Sequence, residues 1–239
     1  MTTSGTASFN LDFADIAEEA WERLGGMEIR TGYDLRTTRR SMNLLIIEMA
    51  NRGLNLFTVE QGAIPMATGQ STYDLPVDTV DLLDHVIRTG SGQNQTDINI
   101  SRIAEPTYAT IPNKNAQGRP IQVWIQRLTG ATYPAPTGVV NPRITVWPTP
   151  NEPGDQYTFV YWRLRRIQDV SSATNTLDIP FRFLNCMIAG LSYYLSIKIS
   201  GVDQNRVAML KADYMEQLDL AVSEDREKAP VRLVPKVGR

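Results

Sequence analysis

Residues 143–165, RITVWPTPNEPGDQYTFVYWRLR, contain the pattern that decides the fold class. In the two outer runs, β-branched and aromatic residues alternate with polar ones, and the segment between them combines Pro, Asn, Gly and Asp. Alternation with a period of two indicates half-buried strands, and those four residue types favour a turn. The pattern therefore predicts a β hairpin formed by Arg143–Trp147 and Tyr157–Arg165.

Strand-like character continues outward from this hairpin over residues 54–179. Gly and Pro are frequent there, and short runs rich in Val, Ile, Tyr and Trp alternate with turn residues. These runs predict five further strands: Leu54–Val59, Ser71–Leu75, Val80–Arg88, Asn99–Ile103 and Ile121–Arg127. Gly90–Asp97 and Glu105–Pro120 are expected to be long loops, which are commonly functional or disordered.

Both ends of the chain have helical periodicity instead. Apolar residues three and four positions apart predict helices over about 10–24, 33–52, 180–201 and 203–227. The predicted apolar stripes are Phe13, Ile16, Ala17, Ala20, Trp21 and Leu24; Leu35, Met42, Leu45, Ile46 and Met49; Phe181, Leu184, Ile188, Leu191 and Leu195; and Val207, Leu210, Tyr214, Leu218 and Ala221. Asn10 or Asp12 is expected to cap the first helix, and Asp203 the last.

Two helix pairs around a β region predict an α+β fold. The N- and C-terminal helix pairs are expected to form a four-helix bundle, with an antiparallel β-rich domain inserted between them and an extended C-terminal tail. The predicted organisation is a flexible N-terminus at 1–9, a helical hairpin at 10–53, the β-rich insertion at 54–179, the C-terminal helix pair at 180–228 and the tail at 229–239.

The composition argues against several function classes. The 24 basic and 26 acidic residues give a net charge of −2, whereas proteins that grip nucleic acid normally have a basic excess. The single cysteine, Cys186, excludes an internal disulfide or a cysteine-rich zinc site. His85 is the only histidine and lies in a predicted strand without a nucleophile nearby, so we interpret it as a structural residue. We expect no catalytic, cofactor or metal site and no enzyme activity.

Membrane insertion is not expected either. Residues 181–200 are about long enough to span a bilayer, but they contain Arg182, Asn185 and Lys198, which are costly in hydrocarbon. The segment is better interpreted as a buried helix. The first ten residues, MTTSGTASFN, have no basic patch followed by an apolar run, so no signal peptide is predicted.

Two arginine clusters are candidates for an interface. Arg163, Arg165 and Arg166 follow Tyr161 and Trp162, a combination that could bind nucleic acid, although a solvated strand end or salt bridges between subunits is the favoured interpretation. A second cluster, on the second helix, could line a channel or pair with acidic residues of a neighbouring subunit, and we favour the pairing because the total charge is balanced. It consists of Arg36, Arg39 and Arg40.

The last ten residues, PVRLVPKVGR, alternate basic and apolar side chains and contain two prolines. A chain end of this kind is commonly free, but its apolar residues also suit a strand or clamp that docks on a partner. The candidate docking residues are Val231, Arg232, Leu233, Val234, Lys236, Val237 and Arg239.

Several segments, in their order and spacing, resemble the head-to-tail adaptors of short-tailed phages, the tail tubular protein A-like family. The first is RRSMNLLIIEMANRGLNLFTVEQGAIPMATGQSTYDLP at 39–76. YATIPNKNAQGRPIQVWIQR at 108–127 follows, then ITVWPTP at 144–150 and YTFVYWRLRRIQD at 157–169. The resemblance closes with PFRFLNCMIAGLSYYLSIKISG at 180–201 and a long charged helix, and it covers about residues 10–228.

The resemblance implies a structural virion protein without catalytic residues. It implies a homo-oligomeric ring, a dodecamer, that joins the portal protein to the tail nozzle protein and sometimes contacts tail fibres. DNA would pass through the ring without sequence-specific binding. The protein would reside in the neck or tail of the virion, after assembly in the host cytoplasm. The C-terminal tail would grasp the portal.

Three rival functions have less support from the sequence. An enzyme would need carboxylates that the fold happens to bring together. A nucleic-acid-binding module would rest on the arginine–aromatic hairpin and would show a salt-dependent affinity. Another head-completion protein or a minor tail protein is the closest alternative, because such proteins share the composition and the missing active site.

Overall fold

The computed structural model describes residues 4–6, 9–25, 32–53, 56–128, 141–154, 156–226 and 228. These residues contain α-helices and two β-sheets, which confirms the α+β class. They divide into two compact units. A helical unit contains the described residues up to Phe57 and from Ile167 onward, and a β unit contains Thr58–Arg166.

The helical unit contains four helices at the positions that the periodicity predicts, but the third, predicted over about 180–201, extends only over 184–196. They are α1 (Phe13–Gly25), α2 (Gly32–Arg52), α4 (Leu184–Ser196) and α5 (Gln204–Glu224). A short fifth helix, α3 (Glu105–Ala109), belongs to the β unit. All six predicted stripe residues of α1 are buried. Asp12 caps α1, because its Oδ1 accepts a hydrogen bond from the backbone N–H of Asp15 at 3.0 Å. Asp203 occupies the N-cap position of α5 but its side chain makes no capping hydrogen bond.

The α4 helix lies at the centre of the helical core. Ten of its 13 residues are buried, so it has almost no polar face, as expected for a helix with neighbours on several sides. It packs against α1, α2 and α5. Gly190 allows α4 to pack closely against α2 and α5, because a Cβ at this position would lie 2.8 Å from Leu45 of α2 and 2.9 Å from the ring of Tyr214 of α5.

The segment that follows the last strand belongs to the helical unit, not to the β region. Ile167, Val170 and Leu177 are buried in the helical core. Backbone carbonyls of this segment also accept hydrogen bonds from the first turn of α1, at 2.9 Å for Phe13 and 3.0 Å for Ala14. The β unit therefore ends at Arg166, 13 residues before the sequence-based boundary at 179. The reason is that the apolar residues of this segment are buried by helices, which no local strand pattern reveals.

Two four-stranded sheets form the β unit and share one core. Their strands are β1 (Val59–Pro65), β2 (Thr72–Asp74), β3 (Thr79–Thr89), β4 (Thr96–Asn99), β5 (Ser101–Ile103), β6 (Gln122–Gln126), β7 (Arg143–Trp147) and β8 (Tyr157–Arg165). One sheet has the order β1-β8-β3-β4 and is antiparallel throughout. The other has the order β2-β7-β6-β5, and its β5 runs parallel to β6, so the prediction of a wholly antiparallel region was wrong at that position.

The predicted hairpin of β7 and β8 does not form, although both strands have the predicted bounds. β7 pairs with β2 and β6, whereas β8 pairs with β1 and β3 in the other sheet. Ile144 and Val146 of β7 and Phe159 and Tyr161 of β8 all enter the same core. The connection contains three prolines, which lack the N–H donor of a tight hairpin ladder, and it carries the chain from one sheet to the other.

The first strand also differs from its prediction, since it begins at Val59 instead of ending there. Gly62 and Pro65 within β1 weaken its strand signal. Gly62 lies opposite Tyr161 of β8, whose ring occupies the space of a Cβ, at 2.4 Å. Pro65 is tolerated because β1 is at the edge of its sheet. The long connection of residues 105–120 contains α3 and is held by contacts of Tyr108 with Trp124 and of Trp147 with Asn113.

Candidate interaction surfaces

Two of the arginines at the end of β8 are bound inside the β unit. Arg163 is 11% exposed and donates to Asp78 Oδ1 at 2.5 Å and to Glu60 Oε2 at 2.8 Å. Arg165 Nε lies 2.6 Å from Glu60 Oε1. Burial alone would lower the pKa of Arg163, but the Asp78 and Glu60 carboxylates outweigh it and raise that pKa. These guanidinium groups are thus charge-compensated within one chain, while the side chain of Arg166 is exposed.

The arginines of α2 are more open. Arg39 Nη1 donates to the carbonyl of Ser171 at 2.6 Å, which ties α2 to the segment after β8. Arg36 and Arg40 are exposed, and no carboxylate in the described part of the chain forms an ion pair with either of them. Lys198 lies near Arg40, and burial together with this neighbouring charge lowers the pKa of its ammonium group. The outer face of α2 is therefore cationic.

An apolar groove lies between α1 and the start of α4. It has a volume of about 700 Å³. Its apolar lining is formed by Phe9, Leu11, Phe181, Leu184 and Ile188. Asp15 and Glu19 of α1 line it as well, so its charged residues are acidic. A groove of this size with apolar and acidic lining residues suits a segment that is both apolar and basic.

Phe181 is exposed, although the sequence pattern predicts it to be part of the core. Its spacing from Leu184 and Ile188 places it on the apolar stripe of a continuous helix, but it is 79% exposed. Phe181–Phe183 form a 3₁₀ turn before α4, whose tighter winding changes the direction of each side chain. Phe183 is buried instead. Phe9, which also lines the groove, is 76% exposed. It was missed from the sequence, although a single Phe within a polar N-terminal stretch indicates a candidate contact residue.

A smaller cavity of about 350 Å³ lies between α2, α4 and α5 beside a polar network. Glu48 accepts hydrogen bonds from the hydroxyl of Tyr194 and from Arg52 Nε, the latter at 2.8 Å. Burial would raise the pKa of Glu48, but these two donors outweigh burial and lower it. The network therefore keeps Glu48 ionised and holds α2 against α4.

His85 is a core residue of the β unit. Its ring is stacked on Phe159, with the centroids 6.0 Å apart, and burial lowers its pKa from 6.5. No group of three or more His, Cys, Asp or Glu residues that could hold a metal ion is found in the described residues. Among the described helices, none is long and apolar enough to cross a membrane.

The lowered pKa of His85 predicts a loss of stability in mild acid. The unfolded chain binds the proton more readily than the folded chain, so the free energy of unfolding falls as pH falls through about 6.5. We expect His85→Leu to show a smaller decrease than the wild type between about pH 7.5 and 5.5 in urea unfolding. Glu48 and Asp78 titrate below this window, because their pKa values are lowered from 4.5 and 3.8. Equal decreases in both proteins would contradict the prediction.

Cys186 is predicted to be unreactive in the folded protein. Burial within α4 raises the pKa of its thiol to about 12, so very little thiolate exists near neutral pH. We expect a thiol reagent to label the native chain at least about 100-fold more slowly than the chain in denaturant. The measurement is the rate of labelling at about pH 8 with and without guanidinium, and comparable rates would contradict the burial of this side chain.

Comparison with known proteins gives these surfaces a context. The sequence matches the SU10 adaptor protein family over residues 11–234, which is nearly the whole chain. The chain belongs to the SU10 adaptor protein family. This membership confirms the predicted head-to-tail adaptor family of phages and assigns the chain a structural adaptor role in a virion.

Other comparisons add little to the family match. No curated protein matches the chain in sequence. Among solved structures, the chain is similar to a chain from the neck of an empty GTA particle, with 11% sequence identity and a TM-score of 0.28, over 89% of this chain and 92% of that one.

Residues 229–239, which include all seven candidate docking residues, lie outside the described residues. Of the arginine candidates, Arg163 and Arg165 share Glu60 as a partner, and Arg36, Arg39 and Arg40 lie together on α2.

Proposed function

We propose that this adaptor protein is one subunit of a ring that joins the phage portal to the tail nozzle and continues the DNA channel. The single observation that carries this proposal is the match to the adaptor family over residues 11–234. The proposed partners are the portal protein, the nozzle protein, tail fibres and other copies of the chain in a dodecamer. The ring would assemble in the host cytoplasm and remain in the neck of the virion.

We infer that the four long helices form a bundle that serves as the rigid body of each subunit. The central position of α4, with α1, α2 and α5 packed around it, supports this arrangement. In chain order the β unit separates the two helix pairs, and it would present its loops to other virion proteins. A closed ring requires two different contact faces on each subunit.

The charge distribution favours a channel that does not grip DNA. The net charge is −2, and Arg163 and Arg165 are already paired with carboxylates of the same chain. Tight phosphate contacts would need uncompensated basic residues at several positions. We propose that exposed Arg36 and Arg40 pair with acidic residues of a neighbouring subunit, with Arg39 positioned beside them.

The C-terminal tail is the proposed portal contact. Its apolar residues Val231, Leu233, Val234 and Val237 can add edge-strand or pocket contacts, and Arg232, Lys236 and Arg239 can pair with acidic groups. Binding through this tail would make stable attachment of the ring depend on the presence of the portal.

Negative-stain electron microscopy of the chain, alone and mixed with the portal protein of the same virus, tests this function. We expect rings, or an additional layer below the portal, with the full chain. A variant that ends at Lys228 should fail to add that layer while its circular dichroism spectrum is unchanged. A full chain that neither assembles nor alters the portal would overturn the ring proposal, and a tailless variant that still attaches would overturn the role of the tail alone.

A further inference from the structure

The position at which the C-terminal segment begins bears on the apolar groove of the helical unit. Asp225, which follows α5, has a side chain that is only 4% exposed. Its carboxylate accepts hydrogen bonds from the guanidinium of Arg182 and from the backbone N–H of Leu56, the latter at 3.0 Å. Arg182 directly follows Phe181, which lines the groove. The chain therefore leaves α5 beside the turn that forms one wall of the groove.

The C-terminal segment, residues 229–239, is long enough to cover one side of the groove. Residues 229–239 can span up to about 36 Å when extended. The α1 residues that line the groove, Asp15 and Glu19, lie about 6 Å apart along the helix axis. The segment is thus several times longer than this side of the groove.

The chemistry of the segment matches that of the groove. Residues 229–239 contain three basic residues, four aliphatic residues from Val and Leu, and no acidic residue. The groove has an apolar lining with Asp15 and Glu19 as its charged residues. Glu19 already pairs with Arg23 at 3.0 Å, whereas the Asp15 carboxylate makes no ion pair with any described residue. Asp15 is therefore the available partner for a basic side chain.

We propose that residues 229–239 of the same chain bind in this groove, with Leu233 and Val234 against Phe181 and a basic side chain beside Asp15. The link to α5 gives the segment an effective concentration near ~1 mM, so an intrinsic affinity of only ~0.1 mM would fill the groove in about nine of ten molecules. The binding does not depend on the role of the tail at the portal. Only its consequence rests on the proposed function: a segment held in the groove must be released before it can contact the portal.

Cross-linking within the full chain tests this proposal. One variant combines Glu18→Cys, next to the groove residues Asp15 and Glu19, with Gly238→Cys in the tail. The control combines Met209→Cys, exposed near the opposite end of α5, with Gly238→Cys. The native Cys186 is buried and does not compete. With a short bifunctional maleimide at low protein concentration, we expect the Glu18→Cys pair to form the intramolecular cross-link about fivefold faster than the control.

Two further substitutions make the result specific. Phe181→Ser, at an exposed position that tolerates change, and Leu233→Asp in the tail should each reduce the fast cross-link to the rate of the control. Equal rates for the two cysteine pairs, or no effect of these substitutions in variants with wild-type circular dichroism, would overturn the proposal. Cross-links that join two chains and increase with protein concentration would also overturn it, because the occupant would then be a second copy. None of these outcomes depends on a portal or on ring assembly.

Discussion

Phe183→Ala is expected to lower the free energy of unfolding of the helical unit by about 3–5 kcal/mol. The Phe183 side chain is 0% exposed and belongs to the helical core. Its ring lies 5.3 Å from the ring of Phe57. Removing a fully buried ring loses its transfer free energy and leaves a cavity that close-packed neighbours fill only in part. Urea unfolding followed by far-ultraviolet circular dichroism, which reports mainly on the helices, measures the loss.

Phe181→Ala is the matched control, two residues earlier in the same 3₁₀ turn. Because Phe181 is 79% exposed, the same chemical change should alter the free energy of unfolding by no more than about 1.5 kcal/mol, most of it from the loss of tail binding in the groove. The pair separates burial from the intrinsic effect of removing a phenyl ring. Similar losses at both positions would mean that the turn does not direct Phe183 inward and Phe181 outward.

Arg163→Met is expected to destabilise the β unit by about 1–2 kcal/mol. Methionine retains most of the aliphatic packing but leaves Glu60 and Asp78 without their shared guanidinium partner. The expected loss is smaller than for a fully buried ion pair, because the two carboxylates are 43% and 40% exposed and water replaces part of the interaction. The midpoint of urea unfolding, followed by tryptophan fluorescence, is the measurement.

Arg166→Met supplies the comparison, because its side chain is exposed on the same stretch of chain. We expect its stability to match that of the wild type within about 0.5 kcal/mol. An Arg163→Met protein that is as stable as the wild type but no longer assembles would contradict the internal role and support a contact between subunits. A loss of stability in Arg163→Met alone would remove Arg163 from the interface candidates.

The β8 arginines differ from the α2 face and from the apolar groove in their prospects as interfaces. The β8 arginines are compensated inside the chain and contribute mainly to the stability of the β unit. On the α2 face, Arg36 and Arg40 are exposed and form no ion pair with a described residue. In the apolar groove, Phe9 and Phe181 are exposed, and the Asp15 carboxylate forms no ion pair with a described residue. Exposed apolar residues grouped around a groove are typical of interaction sites. Partner contacts are therefore expected in the helical unit first.

Local periodicity in the sequence was sufficient to predict most helices and strands. The stripe of α1 and the central residues of α2 are buried as expected, and β7 and β8 begin and end at the predicted residues. These features depend on the alternation of apolar and polar residues within one segment, which requires no knowledge of the neighbours. The adaptor family was also evident from the order of short motifs along the chain, and the family match confirms it.

Tertiary structure alone decided which segments meet. β7 and β8 each have the sequence pattern of a strand, but the pattern does not specify which strand pairs with which. In the structure β7 pairs in one sheet and β8 in the other. Arg163 became an internal residue because Asp78 and Glu60, distant in sequence, converge on it. Phe181 became exposed because a 3₁₀ turn precedes α4, and Ile167 and Val170 are buried by helices rather than strands. Each of these outcomes depends on contacts between residues far apart in the chain, so the sequence pattern predicts the elements while long-range packing determines their partners.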